Sequence, residues 1–122
     1  MPKGKVIYWI LSVVAALLFG FAGFSKVSAN PMMVQSFSHF GYAIWFMYFI
    51  GAAEIVGALG LVFGHLIDVR LSRVAVIGLL IIMVGAIASH LMYDPLPAMI
   101  PAVVLSLMLL GILYIHEDSH IA

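Results

Sequence analysis

Four stretches of almost unbroken apolar residues dominate the chain, at about 6–27, 43–64, 74–93 and 98–115. Each is close to the roughly 20 residues that a helix needs to cross a bilayer, where every backbone polar group must be paired within the chain. Prolines at 95 and 97 separate the last two stretches, because proline ends a helix and restrains the residue before it. The pattern predicts an all-α integral membrane protein, a bundle of four transmembrane helices in a single domain over 1–122.

A shorter amphipathic segment, 30–41, lies between the first two stretches. Its apolar positions recur at near-helical spacing, with Gln35, Ser36 and His39 between them. This pattern predicts a short helix that lies in the membrane interface or at the mouth of the bundle. It has two interpretations, a lid that covers the packed helices or a gate to an internal site.

The composition agrees with a lipid environment. Of the 122 residues, 66% are hydrophobic and only 8% are charged, whereas a soluble domain is about half apolar and a quarter charged. The partner that this composition predicts is the lipid bilayer, and the formal net charge of zero, with no basic stripe, argues against nucleic acid. Because the chain has no cysteine, thiolate nucleophiles, iron–sulfur clusters and Cys-ligated zinc are excluded.

Basic residues predict the orientation in the cell membrane. Lys3 and Lys5 precede the first stretch, and Arg70 and Arg73 lie between the second and third, which places both termini in the cytoplasm. Lys26 is then the one basic residue on the far side. The first stretch also resembles a signal peptide, but its apolar run exceeds the usual 7–15 residues, so we expect it to be retained as a span.

Small residues line a face of each of the first three stretches and predict close helix packing. Gly60 and Gly64 form a small-xxx-small pair, which marks either packing within the bundle or a dimer face. We favour packing within the bundle. The fourth stretch has no such face and is expected to see more lipid.

Glu54 is the most informative ionisable residue, because it lies near the middle of the second stretch. A charge at that depth costs at least roughly 2.5–3.5 kcal/mol, so we expect it to be paired or protonated. Lys26 closes the first stretch. It is either an anchor that extends to the interface or a partner of Glu54 across the helix contact. A structural ion pair and a site for a ligand or proton both fit this pattern.

The histidines are weaker candidates. His90 lies near the outer end of the third stretch, where it either bonds to Asp94 or the backbone, or shares a cavity with Lys26. His65 and His116 lie at the other ends of their spans and could face each other as haem ligands. The tail residues His116, Glu117, Asp118 and His120 could bind a metal weakly, but a solvated tail is favoured, and we expect no metal site.

Three short motifs carry a resemblance to a known family. They are FAGFSKV at 21–27, GAAEIVG at 51–57, and MVGA at 83–86 followed by SHL at 89–91. Their order and spacing resemble the DoxX-like family of small membrane proteins with four spans. The recurrent Lys, Glu and His of that family look like Lys26, Glu54 and His90, the residues that the membrane argument also selects.

The resemblance implies more than one role. Some relatives look like membrane subunits of thiosulfate:quinone or other oxidoreductase systems, and others resemble assembly chaperones or cargo receptors. A quinone is the candidate cofactor that this implies, although no cofactor motif is evident in the chain. A redox role would need that quinone or a partner subunit, because the chain lacks cysteine.

Together these features predict a pocket in the outer half of the bundle, reached past 30–41, that binds a small amphipathic molecule or supports a membrane complex. Glu54 would accept a hydrogen bond or proton, Lys26 would supply positive charge, and His90 would bond a carbonyl or relay protons. Further pocket candidates are Gln35, His39, Met83 and Ser89. The alternatives are a non-enzymatic assembly or accessory factor, and a proton-coupled transporter that works as a homodimer. Whether the chain is an enzyme stays open, and no pair of nucleophile and base is visible.

Overall fold

The computed structural model describes the backbone of residues 3–119 and the side chains of residues 4–115. Within this part the chain is helical and has no strand. The helices are α1 (Lys3–Val27), α2 (Pro31–His39), α3 (Ile44–Ile67), α4 (Val69–Tyr93) and α5 (Ile100–Ser119), with a 3₁₀ turn at Leu96–Met99 before α5. Four of them, α1, α3, α4 and the unit formed by the turn with α5, are long and apolar enough to cross a membrane. The predicted bundle of four spans and the short helix between the first two are both confirmed.

The connection between α3 and α4 is much shorter than the sequence predicts. The third span was expected to begin near 74, but α4 begins at Val69, so Asp68 alone separates it from α3. Asp68 has an extended backbone, and its carboxylate accepts a hydrogen bond from the Arg70 backbone N–H at 3.0 Å, which caps α4. Arg70 and Arg73 therefore lie in the first turns of α4 and not in a loop.

The α3 helix is not uniform along its length. Its regular part, Ile44–Leu59, is followed by a π-helical turn at Gly60–Gly64 and a final short piece, His65–Ile67. A Cβ on Gly60 would lie 2.8 Å from the Ala75 Cβ, and one on Gly64 would lie 3.1 Å from the Leu71 Cβ. Both glycines therefore pack against α4, which confirms the prediction that this pair serves packing within the bundle.

The backbones of α1 and α3 approach each other closely where two glycines face one another. A Cβ on Gly23 would lie 2.6 Å from the Gly51 carbonyl oxygen, and one on Gly51 would lie 2.8 Å from the Gly23 oxygen. No side chain fits there, so the two helices touch through glycine, as transmembrane helices do when they pack closely. This seam between α1 and α3 positions the polar residues described below.

The bundle core is formed by side chains from all four spans. Its largest fully buried apolar members are Tyr8, Phe19, Leu61, Leu79, Leu109 and Ile112. Large apolar side chains on the outside of every span remain exposed, as lipid contact requires. The fourth span has the smallest buried share, 17% against 22% to 33% for the others, in line with its lack of a face of small residues.

Candidate functional site

The seam between α1 and α3 holds the ion pair of Lys26 and Glu54. The Lys26 Nζ lies 2.8 Å from the Glu54 Oε1, and the two side chains are only 12% and 2% exposed. Glu54 follows Ile44 by ten residues, which places it about 15 Å along α3, near the middle of the span. The structure thus brings these two predicted site residues together, and it favours the interpretation of Lys26 as a partner of Glu54.

Local sequence explains how the lysine reaches this position. Lys26 lies in the last turn of α1, beyond Gly23, and a Cβ on Gly51 would meet the Lys26 Cβ at 2.7 Å. Because Gly51 has no side chain, the lysine stem lies against the α3 backbone and its ammonium reaches one turn along to Glu54. The chain then leaves α1 through Ala29, which has a positive φ of 56°, and Asn30 caps α2.

The pair is not fully satisfied by its own members. The Glu54 Oε1 is buried and has no well-aligned hydrogen bond, so its contact with Lys26 is an ion pair by distance alone. An ammonium has three N–H donors. Among the residues that the structure describes, Glu54 is the polar partner found for Lys26. The lysine therefore keeps donors that a further acceptor could use.

A cavity of about 390 Å³ lies beneath α2 at the mouth of the bundle. Its lining residues are Val34, Phe37, Ser38, Gly41, Tyr42, Ile44 and Met47. Met47 is fully buried and shares the inward face of α3 with Gly51 and Glu54, one and two turns further along the helix. The cavity therefore opens on the same face of α3 as the ion pair, separated from it by about 10 Å of helical rise.

His90 belongs to a different polar group. Its Nδ1 lies 2.7 Å from the Asp94 Oδ2, and the other carboxylate oxygen, Oδ1, lies 2.8 Å from the His39 Nε2. The hydrogen bond from His90, with a smaller contribution from His39, holds the pKa of the Asp94 carboxyl below its ordinary value. Within the described residues, no hydrogen bond or ion pair joins His90 to Lys26 or Glu54. The structure thus places His90 with Asp94, the first of the two alternatives, and outside the pair.

The remaining pocket candidates lie around these two groups. Ser89 is buried and its hydroxyl lies 2.6 Å from that of Tyr42, which lines the cavity. Met83 is part of the apolar core, and Gln35 is exposed on α2. None of these predicted residues lines the cavity itself: Ser89 reaches it through Tyr42, His39 contacts Asp94, and Met83 packs in the core.

The hydrogen bond of Tyr42 and the contact of Asp94 with a second histidine could not be foreseen from the sequence. Tyr42 joins the α2–α3 connection to α4 through Ser89, and Asp94 joins α2 to the end of α4. Asp94 directly precedes the proline that ends the third apolar stretch, so the sequence marks it as a helix end. Its further role, to connect α2 to the end of α4, depends on two histidine partners, one of which lies 55 residues away in the chain.

A third polar cluster lies at the opposite end of the bundle. The Tyr8 hydroxyl is buried, lying 3.1 Å from the His65 Nδ1 and 3.2 Å from the Ser72 Oγ. The haem interpretation paired His65 with His116, whose side chain lies outside the described residues, as do the tail residues Glu117, Asp118 and His120. Over the described part of the chain, no three His, Asp or Glu side chains are grouped to hold a metal ion.

The fold and these polar groups define a small integral membrane protein with four spans and an ion pair buried between the first two. Comparison with known families adds the identification. Residues 10–112 match the model of the DoxX-like family, so the chain belongs to that family. It is also 33% identical over 86 residues to the uncharacterized protein YdgD of Bacillus subtilis (strain 168), a match that covers 67% of this chain and 71% of that protein. No solved structure matches the chain.

Proposed function

We propose that this DoxX-like protein binds a small amphipathic molecule within the membrane and that Lys26 and Glu54 form its polar anchor. The observation that carries the proposal is the Lys26 ammonium, on a side chain 12% exposed, which keeps unused donors beside a buried carboxylate oxygen of Glu54 without a well-aligned hydrogen bond. Buried polar groups are nearly always satisfied in native proteins. An incompletely satisfied pair near the middle of a span therefore favours a ligand that completes it.

The chemistry of the pair defines the class of ligand. Lys26 would donate to a carbonyl or other acceptor oxygen, while Glu54 keeps the ammonium in place and charged. A ligand that reaches this depth must itself be largely apolar, because a strongly charged head group is costly inside the bilayer. A quinone has two carbonyl oxygens on an apolar ring and meets both requirements.

The cavity beneath α2 supports a route to the anchor. Its volume of about 390 Å³ lies within the range of small-molecule pockets, and its floor, Met47, lies on the α3 face that carries Glu54. A methionine side chain is flexible and adapts to a ligand more readily than a branched one. In this proposal α2 serves as the gate rather than only as a cover, and His90 acts through α2 rather than on the ligand.

Binding of ubiquinone-1 to the protein in nanodiscs tests the proposal. The variant with Lys26→Leu and Glu54→Leu replaces both members of the pair by apolar side chains, a change that often leaves stability unaltered. We expect its affinity for ubiquinone-1 to fall about tenfold or more, since it loses at least one hydrogen bond to the ligand. Lys5→Met removes a positive charge from the other end of α1 and should bind as the parent does.

Equal binding by the parent and the double variant, with both folded, would contradict the proposal. That outcome would favour a second function, an accessory factor in which the pair only locks α1 to α3. The close backbone contact of Gly23 with Gly51 beside the pair is the observation on which this second candidate depends. It predicts that a partner protein co-purifies with the chain and that ubiquinone-1 does not bind at the pair.

A further inference from the structure

Three side chains form a bridge between α2 and the end of α4, which we name the Asp94 clasp: His39, Asp94 and His90. The two oxygens of one carboxylate are each contacted by a different histidine, at 2.8 Å from His39 and 2.7 Å from His90. The His39 Nε2 also lies 3.3 Å from the Tyr93 carbonyl oxygen. A single carboxylate therefore ties the last residue of the short helix to the last turn of a span.

The clasp is the main polar attachment of α2. None of the nine residues of α2 is fully buried, so apolar burial holds this helix only weakly. In the part of the chain that the structure describes, the side-chain hydrogen bonds from α2 to a span are those of His39. Since α2 supplies Val34, Phe37 and Ser38 to the cavity lining, its position decides how open the cavity is.

We infer that the Asp94 clasp is a pH-sensitive latch that holds α2 over the cavity more firmly in acid than at neutral pH. Histidine changes its charge between about pH 5 and 8. A neutral histidine donates a hydrogen bond to the carboxylate, whereas a protonated one adds the attraction between opposite charges and makes the contact stronger. The latch would control access to the proposed ligand site, so its role rests on the proposed function. The latch itself can be measured without a ligand.

The surroundings of the clasp contain few other groups that titrate. From α4, the ring of Tyr93 lies 6.2 Å from that of His39, and from the α2–α3 connection Tyr42 bonds to Ser89. The 3₁₀ turn at Leu96–Met99 carries no ionisable side chain. On the side of α1 and α3, Lys26 and Glu54 pair with each other. Histidine is therefore the residue type in the clasp whose ordinary titration range lies near neutral pH.

The absence of cysteine from the chain allows a direct test by single-cysteine labelling. Met47→Cys places a thiol on the floor of the cavity, and Met32→Cys places one on the exposed side of α2, where the parent residue is 70% exposed. The measured quantity is the rate of maleimide labelling in nanodiscs at pH 7.5 and 5.5, given as the ratio of Met47→Cys to Met32→Cys. This ratio removes much of the dependence of labelling on thiol ionisation.

We expect the ratio to fall about fivefold from pH 7.5 to 5.5 in the chain with an intact clasp. With Asp94→Asn added, the ratio should stay at its high value at both pH values, because the latch has lost its charge. A ratio that does not change with pH in the intact chain would overturn the inference, and so would an equal change in the presence of Asp94→Asn.

Val34→Cys, which lines the cavity from α2, replaces the first reporter if Met47→Cys does not fold. Failure of ubiquinone-1 binding would overturn the proposed function and leave this result standing.

Discussion

The Lys26–Glu54 pair and the Asp94 clasp are both built from a carboxylate and basic side chains, but they lie in different surroundings. The pair is near the middle of a span, with side chains 2% and 12% exposed, whereas the clasp lies at a span end, with His39 53% and Asp94 18% exposed. Charges buried in a medium of low dielectric interact strongly and are costly to leave unpaired, while exposed ones are screened by water. The pair should therefore dominate stability and ligand binding, and the clasp should respond to pH.

The largest effect is expected from breaking the pair on one side. Lys26→Met leaves Glu54 buried without its cation, and we expect a loss of about 3 kcal/mol in the free energy of unfolding. The double change to leucine at both positions should recover most of this loss. Denaturant unfolding in mixed micelles measures both values, and if the double variant were no more stable than Lys26→Met, the strong coupling of the two residues would be refuted.

The next effect comes from the seam that positions the pair. Gly51→Ala introduces a Cβ that would lie 2.7 Å from the Lys26 Cβ and 2.8 Å from the Gly23 oxygen. We expect a loss of about 2 kcal/mol in the same unfolding assay, since backbone must move to relieve the overlap. Gly85→Ala is the matched control, because a Cβ there meets nothing within 4 Å. Equal stabilities for the two variants would show that the seam is looser than described.

A smaller effect on stability is expected from a change at Tyr42, which joins the α2–α3 connection to α4. Tyr42→Phe removes the hydrogen bond of 2.6 Å to Ser89 and keeps the ring that lines the cavity. The free energy of unfolding should fall by about 1 kcal/mol, the usual contribution of one such bond. Tyr48→Phe, on the exposed side of α3, serves as the control and should change little. An unchanged stability for Tyr42→Phe would remove Tyr42 from the structural link between α2 and α4.

The smallest effect on stability at neutral pH is expected from the clasp, and its sign depends on pH. The pKa of Asp94 is lowered in the folded protein, mainly by the hydrogen bond from His90. Its contribution to stability is therefore fully present above its ordinary pKa of 3.8 and is lost as pH falls through the lower folded value. Unfolding measured from pH 5 down to pH 2 should show this loss in the parent and not in Asp94→Asn. Parallel curves for the two would contradict the ionic character of the clasp.

The spans and the depth of Glu54 could be predicted from the sequence because both depend on local properties. Hydropathy over about 20 residues defines a helix in lipid, and a helical rise of 1.5 Å per residue then locates Glu54 within it. The sequence offered Lys26 as a candidate partner of Glu54 but left its alternative role as an anchor at the interface open, and the structure decides for the pair. The single-residue connection at Asp68 could not be predicted, since the arginines at 70 and 73 interrupt the apolar pattern although they lie within α4.

The clasp and the residues that line the cavity could not be predicted because they depend on where helices lie relative to one another. His39 and Asp94 are 55 residues apart and meet only when α2 folds back over the end of α4. A pocket beside 30–41 is expected from the amphipathic pattern of that segment, but its lining forms where α2 meets α3 and does not include Lys26, Glu54 or His90. The sequence placed His90 near Asp94 through their spacing of one helical turn, but not the second histidine that completes the bridge.

Native mass spectrometry of the protein released from its own membrane in nanodiscs tests most directly whether the Lys26–Glu54 pair anchors a ligand. The parent and Lys5→Met should both carry a non-covalent adduct of one constant mass, too small for a phospholipid. The variant with leucine at 26 and 54 should lose that adduct while remaining folded. The same adduct on all three proteins, or phospholipid alone on all three, would contradict the anchor.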